Sequence, residues 1–140
     1  MTKKRTILGV ELNNPLNIRY NPANNWRGQE GAERGFCKFK SVAYGIRAAY
    51  VLLTNYIKVG CNTLEDIISR WAPPSENNTE SYIEFVENET LIPRDLVLTD
   101  NSIHDYWTKI MILQAMAKME TAQTFDEQMI NLYINYPEKY

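Results

Sequence analysis

Glu120 has the most distinctive chemical setting in this sequence, because it is a carboxylic acid on the apolar side of a predicted helix. It lies three residues after Ala117 and seven after Leu113, at about the last turn of that helix. Burial and the negative end of a helix dipole both disfavour a charged carboxylate, so both are expected to raise its pKa. A carboxyl group that stays protonated near neutral pH can donate to the oxygen of a leaving sugar. The alternative is that the helix frays there and leaves Glu120 exposed.

The sequence has few residues that would support other kinds of catalytic chemistry. The sequence has one histidine, His104, which we interpret as a surface residue, and no Ser-His-Asp spacing. It has no glycine-rich phosphate loop and no metal-ligand spacing, so we expect neither a cofactor nor a metal ion. Cys37 and Cys61 are interpreted as buried free thiols. Glu11 and Glu76 are the remaining candidates for a second catalytic carboxylate.

Residues 13–28 are dense in groups that bind polar, ring-shaped ligands. Six asparagines and two prolines favour turns and side-chain-to-backbone hydrogen bonds over a regular helix or strand. Amide, guanidinium and aromatic groups together suit a sugar, whose hydroxyl and acetamido groups need fixed partners while its faces pack on rings. The alternative is an ordered loop that only tethers the first helix. The candidate binding residues in this segment are Asn14, Asn17, Arg19, Tyr20 and Trp26.

Residues 70–82 form a second stretch of the same character. Pro73 and Pro74 fix the backbone, and the neighbouring polar side chains offer donors and acceptors to a hydroxylated ligand. Asn78 and Thr79 can equally be interpreted as caps of the next helix. The candidate binding residues here are Trp71, Asn77, Asn78 and Tyr82.

Length and composition narrow the class of protein. The chain has 140 residues, of which 44% are hydrophobic and 23% charged, and this predicts a single globular domain over residues 1–140. A net charge of −2 argues against nucleic acid as a partner, because nucleic-acid-binding proteins normally show an excess of Lys and Arg. No apolar run is long enough for a membrane span or a secretory signal, so we expect neither membrane insertion nor a signal peptide. Residues 1–6 are expected to be a flexible tail.

The elements that must position these side chains are mostly helical. Apolar residues at helical spacing follow several good capping residues, and Thr63 with Asp66 and Thr124 with Glu127 resemble capping boxes. The predicted helices begin after Ser41, Thr63, Asn78 or Thr79, Ser102 and Thr124, and the first of them covers residues 42–58.

Two short alternating runs indicate a small amount of β structure. Residues 16–20 and 35–40 have strand periodicity and predict a hairpin with a long connection. Residues 7–10 predict a brief strand or an arm packed on the core. Five helices and one hairpin give a mostly α domain of the α+β class.

Five motifs are long enough to be specific. They are Asn-Asn-Pro-Leu-Asn-Ile-Arg at 13–19, Asn-Asn-Trp-Arg-Gly-Gln at 24–29, Gly-Phe-Cys-Lys-Phe at 35–39, Tyr-Gly-Ile-Arg-Ala at 44–48 and Arg-Trp-Ala-Pro-Pro-Ser-Glu-Asn-Asn-Thr at 70–79. Together they resemble a family of small phage and prophage proteins, the virion structural proteins of the P5 type, which are frequent in phages of gut Bacteroidales. The resemblance covers about residues 7–125.

This resemblance implies a lysozyme-like domain that cleaves peptidoglycan. The motif order also looks like the substrate groove of bacterial glucosaminidases, where the acidic Glu ends a helix that precedes the Asn-rich segment. Here too little chain precedes Asn13 to form such a helix, and residues 114–120 resemble the place where the family shows its helix-ending Glu. We therefore hypothesise that the order is circularly permuted, with the acid helix last. This sequence departs from the family in having Thr121 and Ala122 after the Glu, and Glu11 and Leu12 where the family often has Arg or Asn.

Residue chemistry and resemblance together predict a phage or prophage enzyme that cleaves the β-1,4 bond between N-acetylmuramic acid and N-acetylglucosamine. Glu120 would protonate the leaving oxygen and assist attack by the sugar's own 6-hydroxyl, as in a lytic transglycosylase. Participation of Glu11 or Glu76 would instead give a hydrolase, a muramidase or glucosaminidase. The alternative is a non-catalytic structural or glycan-binding virion protein. The expected partners are peptidoglycan strands and other virion proteins, and the expected location is the virion or the infected host cytoplasm, with action at the cell wall.

Overall fold

The computed structural model describes residues 3–140, and its architecture is the mostly helical α+β class that the sequence predicts. Among these residues, no helix is long and apolar enough to span a membrane. The elements in chain order are α1 (Lys3–Glu11), β1 (Gln29–Glu33), β2 (Phe36–Phe39), α2 (Val42–Lys58), α3 (Leu64–Trp71), α4 (Thr79–Thr90), α5 (Ile103–Thr121), α6 (Glu127–Asn135) and a 3₁₀ turn (Pro137–Lys139).

Most helices begin at the predicted capping residues. The side chains of Thr63, Asn78 and Ser102 each accept a backbone N–H three residues later, at 3.1 to 3.2 Å. Helix α2 covers the predicted range, although the Ser41 side chain makes no capping hydrogen bond. The predicted capping box at Thr124 is wrong, because α6 begins at Glu127 and Thr124 lies too far upstream to reach its free amides. Asp126 caps α6 instead.

Helix α1 replaces the strand or arm predicted for residues 7–10, and it raises the number of helices in the described chain from the predicted five to six. It ends at Glu11, directly before the Asn-rich segment, so the expectation that too little chain precedes Asn13 to form a helix is wrong. Leu8 and Leu12, one turn apart, are buried together with Phe36. Gly9 interrupts this apolar run because α1 packs closely on α5. A Cβ atom at Gly9 would lie 2.5 Å from Asn17 Oδ1 and from Thr121 Cγ2. Helix α1 begins within the segment 1–6 predicted to be a flexible tail, and residues 1 and 2 lie outside the described residues.

The hairpin exists, but the sequence assigns its first strand to the wrong segment. Strands β1 and β2 pair antiparallel through a two-residue turn, in which Arg34 and Gly35 both have positive φ, as a type I′ turn requires. Residues 16–20 instead lie beside the outer edge of β2, with a single bridge from Arg19 to Phe36. They cannot form a regular strand, because Asn17 has a left-handed backbone with a φ of 50°.

The core contains part of the Asn-rich segment itself. Leu16 and Ile18 are buried in the same cluster as the apolar faces of α2, α3, α4 and α5. Residues 14–18 are therefore an ordered inner layer of the protein, and their polar side chains are held at fixed positions.

Candidate functional site

Glu120 lies inside the protein and faces the Asn-rich segment. Its helix continues to Thr121, and the side chain is 0% exposed, so the alternative of a frayed, exposed Glu120 is wrong. Oε1 accepts a hydrogen bond from Asn17 Nδ2 at 2.9 Å, and Oε2 accepts one from Tyr82 Oη at 2.9 Å. The carboxylate thus connects α5 to α4 and to the segment near the N-terminus.

Asn17 links the end of α5 to the loop through more than one contact. Its Nδ2 also lies 3.2 Å from the backbone carbonyl oxygen of Glu120. Next to it, Thr121 Oγ1 donates to the carbonyl oxygen of Pro15 at 3.0 Å. Asparagine tolerates the left-handed backbone at position 17 better than most residues do, which places the amide where it can reach the acid.

Asn14 and Trp71, two predicted binding residues, hold the loop in shape. Asn14 is fully buried, and its Nδ2 donates to the carbonyl oxygens of Ile18 and Cys37 at 3.0 and 2.9 Å. Its Oδ1 accepts the backbone N–H of Ile18 at 2.9 Å. The indole Nε1 of Trp71 donates to the carbonyl oxygen of Leu16 at 2.9 Å. These hydrogen bonds are the ones expected under the alternative that this segment is an ordered loop with a structural role.

A surface groove of about 380 Å³ opens beside this loop. Four predicted binding residues line it: Asn17, Arg19, Tyr20 and Trp71. Asn17 is therefore shared, because it lines the groove and also donates to Glu120. The groove also contains residues that the sequence analysis did not select as binding residues, notably Asn21, Asn24, Tyr56 and Arg70.

The missed residues Tyr56 and Arg70 lie beside the apolar faces of α2 and α3. Tyr56 is partly buried and Arg70 exposed, and the Arg70 guanidinium stacks over the Tyr56 ring at 4.5 Å. The sequence offered one signal for these two binding residues, namely an aromatic residue and an arginine at the edges of two amphipathic helices. Only the tertiary structure shows that they meet.

The remaining predicted residues lie outside the groove lining. Asn77 Nδ2 donates to the carbonyl oxygen of Pro73 at 3.2 Å, and Asn78 is the cap of α4. Trp26 packs partly buried on the core, and its Nε1 has no hydrogen-bond partner among the described residues. Tyr82 is buried at Glu120, while Glu11 is exposed at the end of α1. His104 is exposed as predicted.

The groove carries positive charge on a chain whose net charge is −2. Arg19 and Arg70 both line it, and its lining includes no carboxylate. Arg19 forms an ion pair with Glu76, which lies just outside the lining, and stacks over Phe36 at 5.2 Å. Over residues 3–140, no group of three or more His, Cys, Asp or Glu side chains is placed to hold a metal ion.

Fold and site together define a small α+β protein in which a buried carboxylate lies behind a polar groove lined with aromatic rings. No protein-family model matches the chain. Protein P5 of Pseudoalteromonas phage PM2 is 40% identical over 127 residues, in an alignment that covers 85% of this chain and 76% of the relative. The chain therefore belongs to the family of the phage protein P5.

Proposed function

We propose that this P5-family protein acts on peptidoglycan, cleaving the β-1,4 bond between N-acetylmuramic acid and N-acetylglucosamine as a lytic transglycosylase. The observation that carries the proposal is the 2.9 Å hydrogen bond from Asn17 to Glu120. It joins the candidate acid to a residue that lines the groove. This contact supports the proposal that the acid and the predicted sugar-binding segment belong to one site.

The groove has the composition of a carbohydrate site. Its volume falls within the range of small-ligand sites. The rings of Tyr20, Tyr56 and Trp71 border it, and the side chains of Asn21 and Asn24 offer donors and acceptors. In the proposed complex, the rings pack on sugar faces and the amides bind acetamido and hydroxyl groups.

Glu120 would act as acid and then as base. The bond between C1 of the muramyl sugar and the bridging oxygen breaks, and that oxygen takes the Glu120 proton. The muramyl 6-hydroxyl forms a new bond to C1 and returns its proton to the Glu120 carboxylate, giving a 1,6-anhydro product without water. This step needs one carboxylate. We prefer it to a two-carboxylate hydrolysis because Glu11 is exposed at the end of α1 and Glu76 is paired with Arg19.

Asn17 would control access to the acid. In the described structure both carboxylate oxygens of Glu120 accept bonds from protein groups. Proton donation to a glycan requires that Oε1 exchange the Asn17 amide for the glycosidic oxygen. Asn17 borders the groove, so a bound acetamido group could compete for that amide.

A non-catalytic glycan-binding or structural virion protein is the second candidate. The complete burial of Glu120 favours it, because a carboxylate with 0% exposure and two protein donors also fits a purely structural role. In either case we propose a virion component whose partners are peptidoglycan strands and other virion proteins, built on a lysozyme-like fold.

Digestion of purified sacculi, followed by mass analysis of the released fragments, tests the proposal. We expect fragments with anhydro ends from the wild type and none from Glu120→Gln, which keeps the side-chain size. Glu84→Gln on the exposed face of α4 is the matched control and should retain activity. Reducing ends would indicate hydrolysis instead. Wild-type protein that binds sacculi and releases nothing would overturn cleavage and leave the glycan-binding role.

A further inference from the structure

We infer that the groove selects glycans that bear carboxylates, through Arg70 and Arg19, over neutral glycans. This inference rests on the proposed function, because it specifies which glycan the same groove prefers. The groove lining contains two guanidinium groups and no acidic side chain, although acidic residues outnumber basic ones in the chain. Neutral sugars form no ion pairs with guanidinium groups. The carboxylates of the peptides attached to muramyl residues would form ion pairs with Arg70 and Arg19.

Arg70 is the principal anchor in this inference. It is exposed in the last turn of α3, and its guanidinium carbon lies over the Tyr56 ring, 4.5 Å from the ring centroid. Within the described part of the chain, Arg70 has no ion pair with a carboxylate. Its planar guanidinium presents paired N–H donors in the geometry that a carboxylate accepts.

Arg19 is a second anchor, and in the absence of a ligand it is paired with a carboxylate of the protein. This carboxylate is Glu76. The Arg19 side chain is 46% exposed and the Glu76 side chain is 47% exposed. An ion pair this open to solvent contributes only about 0–1 kcal/mol. A ligand carboxylate can therefore replace Glu76 at little cost.

Comparison of neutral and anionic glycans in a binding assay tests the inference independently of catalysis. The probes are chitotetraose, a muramyl disaccharide-tetrapeptide, and the same disaccharide-tetrapeptide with its carboxyls amidated. The wild type should bind the fragment with free carboxylates more tightly than both probes that lack carboxylates, by about tenfold for one charge-assisted contact. Raising the salt concentration should reduce this preference.

Three variants assign the preference to the groove. Arg70→Gln should lose about tenfold in affinity for the anionic fragment and keep its affinity for chitotetraose. Glu76→Gln should bind the anionic fragment more tightly, because it frees Arg19. Arg27→Gln removes a surface arginine outside the groove lining and should change neither affinity.

The outcomes separate this inference from the proposed function. Equal affinity for all three probes, or equal losses on anionic and neutral probes in Arg70→Gln, would overturn the selectivity and leave glycan binding intact. Failure to bind any probe would overturn both. Selective binding without release of fragments from sacculi would support the selectivity and overturn only cleavage.

Discussion

The side-chain amide of Asn17 donates to the carboxylate of Glu120 at 2.9 Å across 103 positions of the chain. Both residues are buried, at 4% and 0% exposure. Loss of this hydrogen bond leaves a fully buried acceptor without that donor. The contact therefore serves stability in either proposed function, and in the catalytic one it also covers the acid.

Removal of the Asn17 amide should destabilise the protein. We expect Asn17→Ala to lower the free energy of unfolding by about 1–3 kcal/mol, because the fully buried Glu120 loses one of its donors. Urea unfolding followed by circular dichroism measures the change. Asn24→Ala, at an exposed position in the same loop, should stay within about 0.5 kcal/mol of the wild type. Equal midpoints for the two variants would show that the Asn17 contact contributes nothing.

Tyr82 should be energetically coupled to Asn17. Tyr82→Phe keeps the buried ring and removes the hydroxyl that donates to Glu120 Oε2 at 2.9 Å, which should cost about 1–3 kcal/mol. Because both donors act on one carboxylate, the double variant should differ from the sum of the single ones by at least about 0.5 kcal/mol. A double-mutant cycle in urea measures the coupling, with the exposed Tyr136→Phe as the control. Strict additivity would argue against a shared network.

Gly9 is required for the approach of α1 to the site. An added Cβ would lie 2.5 Å from Asn17 Oδ1 and from Thr121 Cγ2, closer than real Cβ contacts, so Gly9→Ala should destabilise despite alanine's better helix propensity. The expected cost is about 1–3 kcal/mol, measured by thermal or urea unfolding. Val10→Ala, on the exposed side of the same helix, should cost much less. A Gly9→Ala variant more stable than the wild type would contradict the close packing.

Lys109 is a buried cation with a complete set of partners. Its Nζ forms an ion pair with Asp100 and lies 3.0 Å from both Tyr50 Oη and Thr54 Oγ1. Burial is the strongest single influence and lowers its pKa, but the bonds to Asp100 and Tyr50 together raise the pKa above the ordinary lysine value. Breaking this buried pair should be costly.

We expect Lys109→Met to lower the free energy of unfolding by about 3 kcal/mol, because Asp100 loses its closest cation. Lys118→Met is the matched control, since Lys118 pairs with Glu89 where both are largely exposed, and it should cost about 0–1 kcal/mol. Chemical denaturation of both variants gives the comparison. Similar costs would mean that burial of Lys109 adds no stability to the pair.

Cys37 should make stability fall at alkaline pH. Burial raises the pKa of its thiol from 9.0 to about 11. Between these values the unfolded chain loses the thiol proton while the folded protein keeps it, so unfolding becomes more favourable as pH rises. The stability that the neutral Cys37 thiol contributes is fully present below pH 9 and is lost as the pH rises through 11. The difference in unfolding free energy between the wild type and Cys37→Ala should be smaller at pH 10.5 than at pH 8. A difference that does not change with pH would contradict the raised pKa of Cys37.

The two thiols should also differ in reactivity. Cys37 is buried as the sequence predicts, whereas Cys61 is only half-buried, so the expectation of burial holds for one of the two. A thiol-specific reagent should label Cys61 of the folded protein first and Cys37 only on unfolding. Mass analysis of labelled peptides identifies the site, and prior labelling of Cys37 would contradict its burial.

Local sequence signals determined most of the helices. Thr63, Asn78 and Ser102 act within one turn of themselves, so their capping role can be predicted without knowledge of the rest of the chain. The strand pairing and α1 could not be predicted in this way. The strand pairing depends on register and on the left-handed backbone of Asn17. Glycine is a poor helix former, and its presence within α1 is explained only by the close contact with Thr121 of α5 and with Asn17.

The sequence by itself determined the helical α+β class, the irregular Asn-rich segment and the apolar-face position of Glu120. Only the tertiary structure decided which polar residues face the groove and which hold the loop. Asn14 and Asn17 look alike in sequence, yet one binds backbone carbonyls inside the loop and the other joins the groove to Glu120. The reason is physical: a side-chain amide bonds to whichever buried partner lies nearest, and packing of distant segments places that partner.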